Sequence, residues 1–225
     1  ALANSAGTAR RCRAAGARCT RVVHLGAELP GTIAPPPAQP TLVTVANLVP
    51  RKRHADVISA LALLRERHPD LRYVIVGDGP ERERLRAHAA AHGVERQVEF
   101  RGRLTHQEAV ATAQAATLFV LPSLEEAFGV AYIEAMAGAV PAIGCRGEAG
   151  PEEIAATGGG IALVPPRDAA ALADRIGGLL RDPAARQAMS REARGAVERS
   201  FTWDRCGTET VAAYAQALAL SPPRP

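Results

Sequence analysis

Two carboxylates eight residues apart, Glu126 and Glu134, and one ammonium, Lys52, have types and placements suited to holding a phosphorylated sugar. Glu126 follows an apolar run, Leu118-Phe119-Val120-Leu121, and a break at Pro122-Ser123. Glu134 falls inside a helix expected to open near Gly129. A loop carboxylate can accept hydrogen bonds from sugar hydroxyls, and a helix carboxylate can do the same for a ribose diol. N–H groups at a fresh helix start lack partners and favour a phosphate, which brings in the backbone of Phe128, Gly129 and Val130. Among 27 basic residues Lys52 is the only lysine. A chain that otherwise uses arginine, yet keeps a compact ammonium just after a strand, points to a phosphate there. A departing diphosphate gathers negative charge, and a cation plus helix-start amides can oppose it. Each residue also has a plain structural reading: Glu126 as a helix cap, Glu134 as a solvated side chain, Lys52 as a surface lysine.

These residues need a scaffold, and the pattern from Thr41 onward supplies one. Strands are expected at 41–46, 72–77, 97–100, 118–121, 140–144 and 160–165. Helices are expected at 54–68, 80–92, 105–116, 129–138, 151–156 and 168–180. Thr105 with Glu108 three residues later forms a capping box, and Asp168 is a further cap. Continuous apolar strands alternating with amphipathic helices mean a parallel sheet covered on both faces. The expected fold class is therefore α/β: a Rossmann-like doubly wound sheet, closed by helices at 183–199 and 205–219. Before it, Asn4-Ser5 caps a helix running to about Ala15, a short strand follows at 20–25, and 31–40 (GTIAPPPAQP) reads as an extended proline-rich linker. One helix and one strand cannot bury a core of their own.

Composition narrows the function classes. Hydrophobic residues make up 47% and aromatics 4%, so the core must be aliphatic and alanine-rich. No run has the length of a membrane span and the N-terminus lacks a signal-peptide pattern. Cys12, Cys19, Cys145 and Cys206 form no C-x-x-C pair, so reduced thiols and a cytoplasmic setting are expected. A net charge of +4 and a pI near 9.2 suit an anionic ligand or weak attraction to an anionic membrane face. Nucleic acid is not expected, because the basic residues are scattered among acids. The six histidines show no metal-binding spacing; His88 and His92 read as surface residues.

Four loops follow the strands. VANLVPRKRH (45–54) is not glycine-rich, so it is neither a dinucleotide fingerprint nor a P-loop. Gly77-Asp78-Gly79-Pro80 reads as a tight turn with Pro80 at the first helical position. Arg103 and Leu104 follow the third strand. After the fifth, residues 144–153 include Glu148, a candidate for facing a sugar, and Glu152 and Glu153, expected to start a helix at Pro151. Cys145 lacks a partner histidine and reads as a small buried residue.

The run EAFGVAYIEAMAGAVPAIG, with Glu126 and Glu134 framing seven residues, resembles the retaining nucleotide-sugar-dependent glycosyltransferases of the GT-B fold, family 4, the type similar to glycogen synthase. Gly-Asp-Gly-Pro at 77–80 is shared with that family. The resemblance covers about 41–219 and implies the donor-binding C-terminal lobe, with 1–30 as the tail of an absent acceptor lobe, 31–40 as linker, 41–200 as the nucleotide-sugar domain, and 201–225 as a crossover helix and tail. It implies Glu126 as the catalytic carboxylate on the donor sugar and Glu134 on the ribose. Lys52 would hold the diphosphate with the amides of Phe128, Gly129 and Val130. Arg103 and Leu104 would lie by the base. The family's Arg-x4-Lys clamp departs here: the arginine position is Asn47, leaving Arg51 or Arg53 to supply the second charge. The donor would be UDP-, GDP- or ADP-linked, without cofactor or obligatory metal. The absent lobe would provide acceptor contacts and any peripheral membrane contact, so the chain alone would bind nucleotide but transfer sugar poorly. A non-catalytic nucleotide-sugar-binding subunit, a nucleotide-sugar epimerase and a dinucleotide-dependent enzyme are the alternatives, the last disfavoured by the missing glycine fingerprint.

Overall fold

The computed structural model describes residues 1–220. In chain order the elements are β1 (Leu2–Ala3), α1 (Ala6–Ala14), β2 (Arg21–Val22), β3 (Thr41–Val45), α2 (His54–Leu64), β4 (Arg72–Val76), α3 (Arg82–Ala91), β5 (Val98–Gly102), α4 (His106–Gln114), β6 (Leu118–Val120), α5 (Val130–Ala137), β7 (Ala142–Cys145), α6 (Ala149–Ala155), β8 (Ile161–Val164), α7 (Ala169–Arg181), α8 (Pro183–Ser200) and α9 (Trp203–Leu220). β3 to β8 form one parallel sheet in the order β5-β4-β3-β6-β7-β8. The order reverses between β3 and β6, which makes their carboxyl ends the switch point of the doubly wound sheet.

The continuous apolar runs are explained by burial on both faces. Successive strand residues point to opposite sides: Val43, Val74, Phe119 and Ala142 pack with α4, α5 and α8, whereas Leu42, Ile75, Leu118, Val120 and Ile143 pack with α2, α3 and α7. The few aromatics are concentrated inside, with Tyr73, Phe119, Phe128, Tyr132 and Phe201 fully buried. The capping box is present, Thr105 accepting from Glu108 N and the Glu108 carboxylate accepting from Thr105 N.

Several boundaries differ from expectation. α2 ends at Leu64, not 68, and is followed by a turn in which the N–H groups of Arg67 and His68 share Leu64 O. α3 opens two residues beyond Pro80, since Glu81 N donates to Leu48 O across the neighbouring loop. α6 starts at Ala149 rather than Pro151. The strand expected at 20–25 is confined to Arg21–Val22, and its parallel partner Leu2–Ala3 is too short to leave a periodicity. This small sheet and α1 dock on the main domain through Glu153 of α6, which accepts from Ala6 N at 2.7 Å and Gly7 N at 3.4 Å and meets His24 Nε2 at 3.0 Å.

Two passages of the chain cross at one point. Ala27 N donates to Phe201 O at 2.8 Å, Ala27 bridges Thr202, and a Cβ on Gly26 would lie 2.4 Å from Trp203 N. α9, expected from 205, begins at Trp203 and runs back over the N-terminal segment, where Gln216 Oε1 accepts from Arg21 Nη1 at 3.0 Å. The expected tail at 221–225 lies outside the described residues. Among those described, no helix is long and apolar enough to cross a membrane.

Candidate functional site

At the switch point the loop after β3 meets the loop after β6. Leu124 N donates to Arg51 O at 2.7 Å, tying the two loops by their backbones. Beside this tie, Lys52 Nζ donates to Glu126 Oε2 at 2.6 Å, with the two side chains 12% and 9% exposed. Ser123 Oγ donates to the same carboxylate oxygen at 2.8 Å. Glu126 N in turn donates to Glu148 Oε2 at 2.8 Å. A carboxylate this far from water must be compensated, and here an ammonium and a hydroxyl do so together. Glu148, a sequence candidate for the sugar, spends one oxygen on holding the acidic loop in shape.

The loop carrying Asn47 and Lys52 is braced from below. His54, buried at the start of α2, places Nε2 3.3 Å from Asn47 O and Nδ1 3.2 Å from Tyr73 Oη. Tyr73 Oη continues at 2.9 Å to Thr44 Oγ1, which hydrogen-bonds Val120 O, so β3, β4 and β6 are linked beneath the loop. Burial pushes His54 down to about 4, with the Lys52 charge adding to this against the Asn47 carbonyl, so the imidazole is neutral at pH 7. On the other side the Gly77-Asp78-Gly79 turn presses backbone on backbone. A Cβ on Gly77, at φ +135°, would sit 2.0 Å from Ala46 O, and one on Gly79 2.5 Å from Leu48 O. Its structural role stands, without Pro80 at the helix start.

The acidic loop turns into α5 through Gly129 at φ +87°, where a Cβ would strike the Tyr132 ring at 2.4 Å. Tyr132 Oη donates to Leu121 O and anchors the helix to the end of β6; burial, then the Glu126 charge, raises this phenol well above its ordinary range. Phe128 is buried, stacked on His24 with centroids 5.4 Å apart and edge-on to Phe201. α5 then opens at Val130, and its first N–H groups have no acceptor within the helix.

Glu134 is half-buried one turn further on. Burial pushes its carboxyl above the ordinary range, opposed by His106, whose Nε2 lies 3.6 Å from Oε1. His106 opens α4, so Glu134 stands beside the loop of Arg103, which is exposed, and Leu104, which is half-buried. The structure thus joins Lys52 to Glu126 directly and sets Glu134 against the start of α4. Asn47 is exposed. Arg53 is held bidentately by Asp56 at 2.8 and 2.6 Å, whereas Arg51 is exposed.

Sequence reasoning passed over Ser123, His54 and His106. Ser123 was visible as a hydroxyl three residues before Glu126. His54 was visible as a histidine opening a largely aliphatic helix. His106 carried no signal, since only the packing of α4 on α5 reveals it. His88 and His92 are half-buried rather than surface residues, with His88 Nε2 2.9 Å from Ser59 Oγ. Cys145 is buried as expected, and burial, then Glu148, pushes its thiol up to about 11. Among the described residues no three His, Cys, Asp or Glu side chains cluster as metal ligands would.

Comparison with known proteins adds the family context. The profile described as "Glycosyl transferases group 1" matches residues 28–196. A Mycobacterium tuberculosis protein named glycogen synthase is 35% identical over 176 residues, covering 78% of this chain and 42% of that protein. A Corynebacterium glutamicum protein named GDP-mannose-dependent monoacylated alpha-(1-6)-phosphatidylinositol monomannoside mannosyltransferase is 32% identical over 175 residues, covering 75% of this chain and 45% of that one. The chain therefore spans under half the length of these relatives. The Anabaena protein HepE, solved with UDP-glucose, superposes with a TM-score of 0.85 over 96% of this chain and 63% of that one, at 21% identity. The sucrose-phosphate synthase of Thermosynechococcus elongatus gives 0.81 over 98% and 58%, at 26% identity.

Proposed function

The chain belongs to the group 1 glycosyl transferases, and from that premise we propose that it is the donor-binding part of an enzyme that moves a sugar from a nucleoside-diphosphate sugar to an acceptor. The observation that carries this reading is the contact of Lys52 Nζ with Glu126 Oε2 at the sheet's switch point. A cation suited to phosphate and a carboxylate suited to hydroxyls are hydrogen-bonded to each other, which sets them side by side for adjoining phosphate and sugar.

In this reading Lys52 holds the diphosphate with the amides opening α5, and Glu126 takes donor-sugar hydroxyls. Glu134 takes the ribose, and the Arg103–Leu104 loop lies by the base. Asn47 offers an amide where the resembling family has arginine, and exposed Arg51 adds charge nearby. Transfer proceeds with retention: the bond from the anomeric carbon to the diphosphate oxygen breaks, the acceptor oxygen bonds to that carbon on the same face, and the acceptor proton passes to the leaving phosphate. The diphosphate's charge is opposed by side chain and backbone, so no obligatory metal is included and EDTA should leave donor affinity unchanged. A relative named for GDP-mannose and a fold neighbour holding UDP-glucose support a nucleotide sugar and leave its base open. Acceptor contacts would come from residues outside this chain, which alone would turn over slowly.

Calorimetric titration with UDP, GDP, ADP and NAD tests the proposal. Binding of at least one nucleoside diphosphate is expected; NAD binding with no response to any diphosphate would reject it.

A further inference from the structure

Resting on the donor-binding reading, we infer that the Lys52–Glu126 ion pair is a specificity-determining contact that weakens the hold on a nucleoside diphosphate lacking its sugar. The site thereby favours intact donor over the spent diphosphate and eases exchange of one for the other.

The argument begins with what a bare diphosphate meets. The ammonium it approaches already has a carboxylate oxygen 2.6 Å away. At phosphate distance such a pair acts more as a dipole than as a charge, and much of the attraction is cancelled. To take Lys52 for itself, the diphosphate must leave Glu126 with Ser123 as its remaining side-chain donor, in a position only 9% exposed. Stripping one partner from a shielded ion pair is costly. An intact donor brings hydroxyls that donate to the same carboxylate as the phosphates draw on the ammonium, so both charges stay compensated.

Glu126 cannot readily turn away to water instead. Its backbone N–H is fixed by Glu148, and its loop is tied to the Lys52 loop through Leu124 N and Arg51 O. The choice of lysine fits the same account. A guanidinium has five donors in a planar fork and can serve carboxylate and phosphate together. An ammonium is a point charge over which the two anions compete. This is the one position where an arginine-rich chain uses lysine.

The test is calorimetry on the full chain with UDP, GDP and ADP and with UDP-glucose, GDP-mannose and ADP-glucose. For the base that wild type recognises, Glu126→Gln should tighten the diphosphate roughly three- to thirtyfold while weakening the nucleotide sugar. Glu125→Gln, which removes an exposed neighbouring charge, should change the diphosphate by less than about twofold. Lys52→Arg should narrow the preference for the sugar form and gives the second reading if Glu126→Gln does not fold. Unchanged or weaker diphosphate binding in Glu126→Gln, equal tightening in Glu125→Gln, or an undiminished preference in Lys52→Arg would overturn the inference while leaving the donor reading intact. Failure of wild type to bind any of the six compounds would overturn both.

Discussion

Glu126 stands where one buried oxygen serves two donors, and removing either donor has a consequence that can be measured. Lys52→Ala leaves an uncompensated carboxylate and should cost about 3 kcal/mol of stability in denaturant unfolding. Adding Glu126→Gln to it should restore most of that loss, so the double-mutant cycle should show a clear coupling. Glu134→Gln lies away from this pair and should instead weaken nucleotide binding by roughly 1–3 kcal/mol, read by calorimetry. Lys52, Glu126 and Glu134 stood out in the sequence as candidates because their types are informative and their places after strands are marked by apolar runs. Ser123 and Glu148 were legible as residues but not in their roles, because a hydrogen bond from Glu126 N to a side chain 22 residues away leaves no local pattern.

Within the elements, the brace under the first loop sets a pH response. His54 is neutral when folded, its pKa held down to about 4 by burial, whereas an unfolded histidine titrates near 6.5. The unfolded chain therefore binds the extra proton first, and His54 contributes a stability that is complete above pH 6.5 and is lost as pH falls from there to 4. The loss should reach about 3 kcal/mol, and His54→Gln should flatten that part of the profile in urea unfolding. The turn on the loop's other side is less forgiving. Gly77→Ala would force a side chain into positive φ and against Ala46 O, so a cost of at least about 2 kcal/mol is expected, with weaker diphosphate binding as the loop shifts. Strand and helix identities from Thr41 onward were readable from apolar runs and caps such as Thr105. The start of α3 was not, because a hydrogen bond from Glu81 N to Leu48 O, in the neighbouring loop, fixes it.

Across the molecule, the doubly wound sheet and its switch point followed from the alternation of strands and helices, and the position of the site followed from the sheet. The first 25 residues were harder to read. Their two-residue strands carry no periodicity, and among the contacts that hold them is Glu153, one carboxylate meeting two backbone N–H groups and a histidine ring, beside the stacking of His24 on Phe128 and the bond from Arg21 to Gln216. Glu153→Ala should speed amide exchange and proteolysis in residues 1–25 while leaving the central sheet protected.

Lys52 also gives the protein a chemical address. Apart from the amino terminus, the chain carries a single primary amine, and it sits against Glu126 at the sheet's switch point, 12% exposed. An acylating reagent will therefore label one internal position, which mass spectrometry can follow peptide by peptide. Slower labelling in the presence of UDP or GDP would measure occupancy of that position directly, without a fluorophore, a tag or a turnover assay.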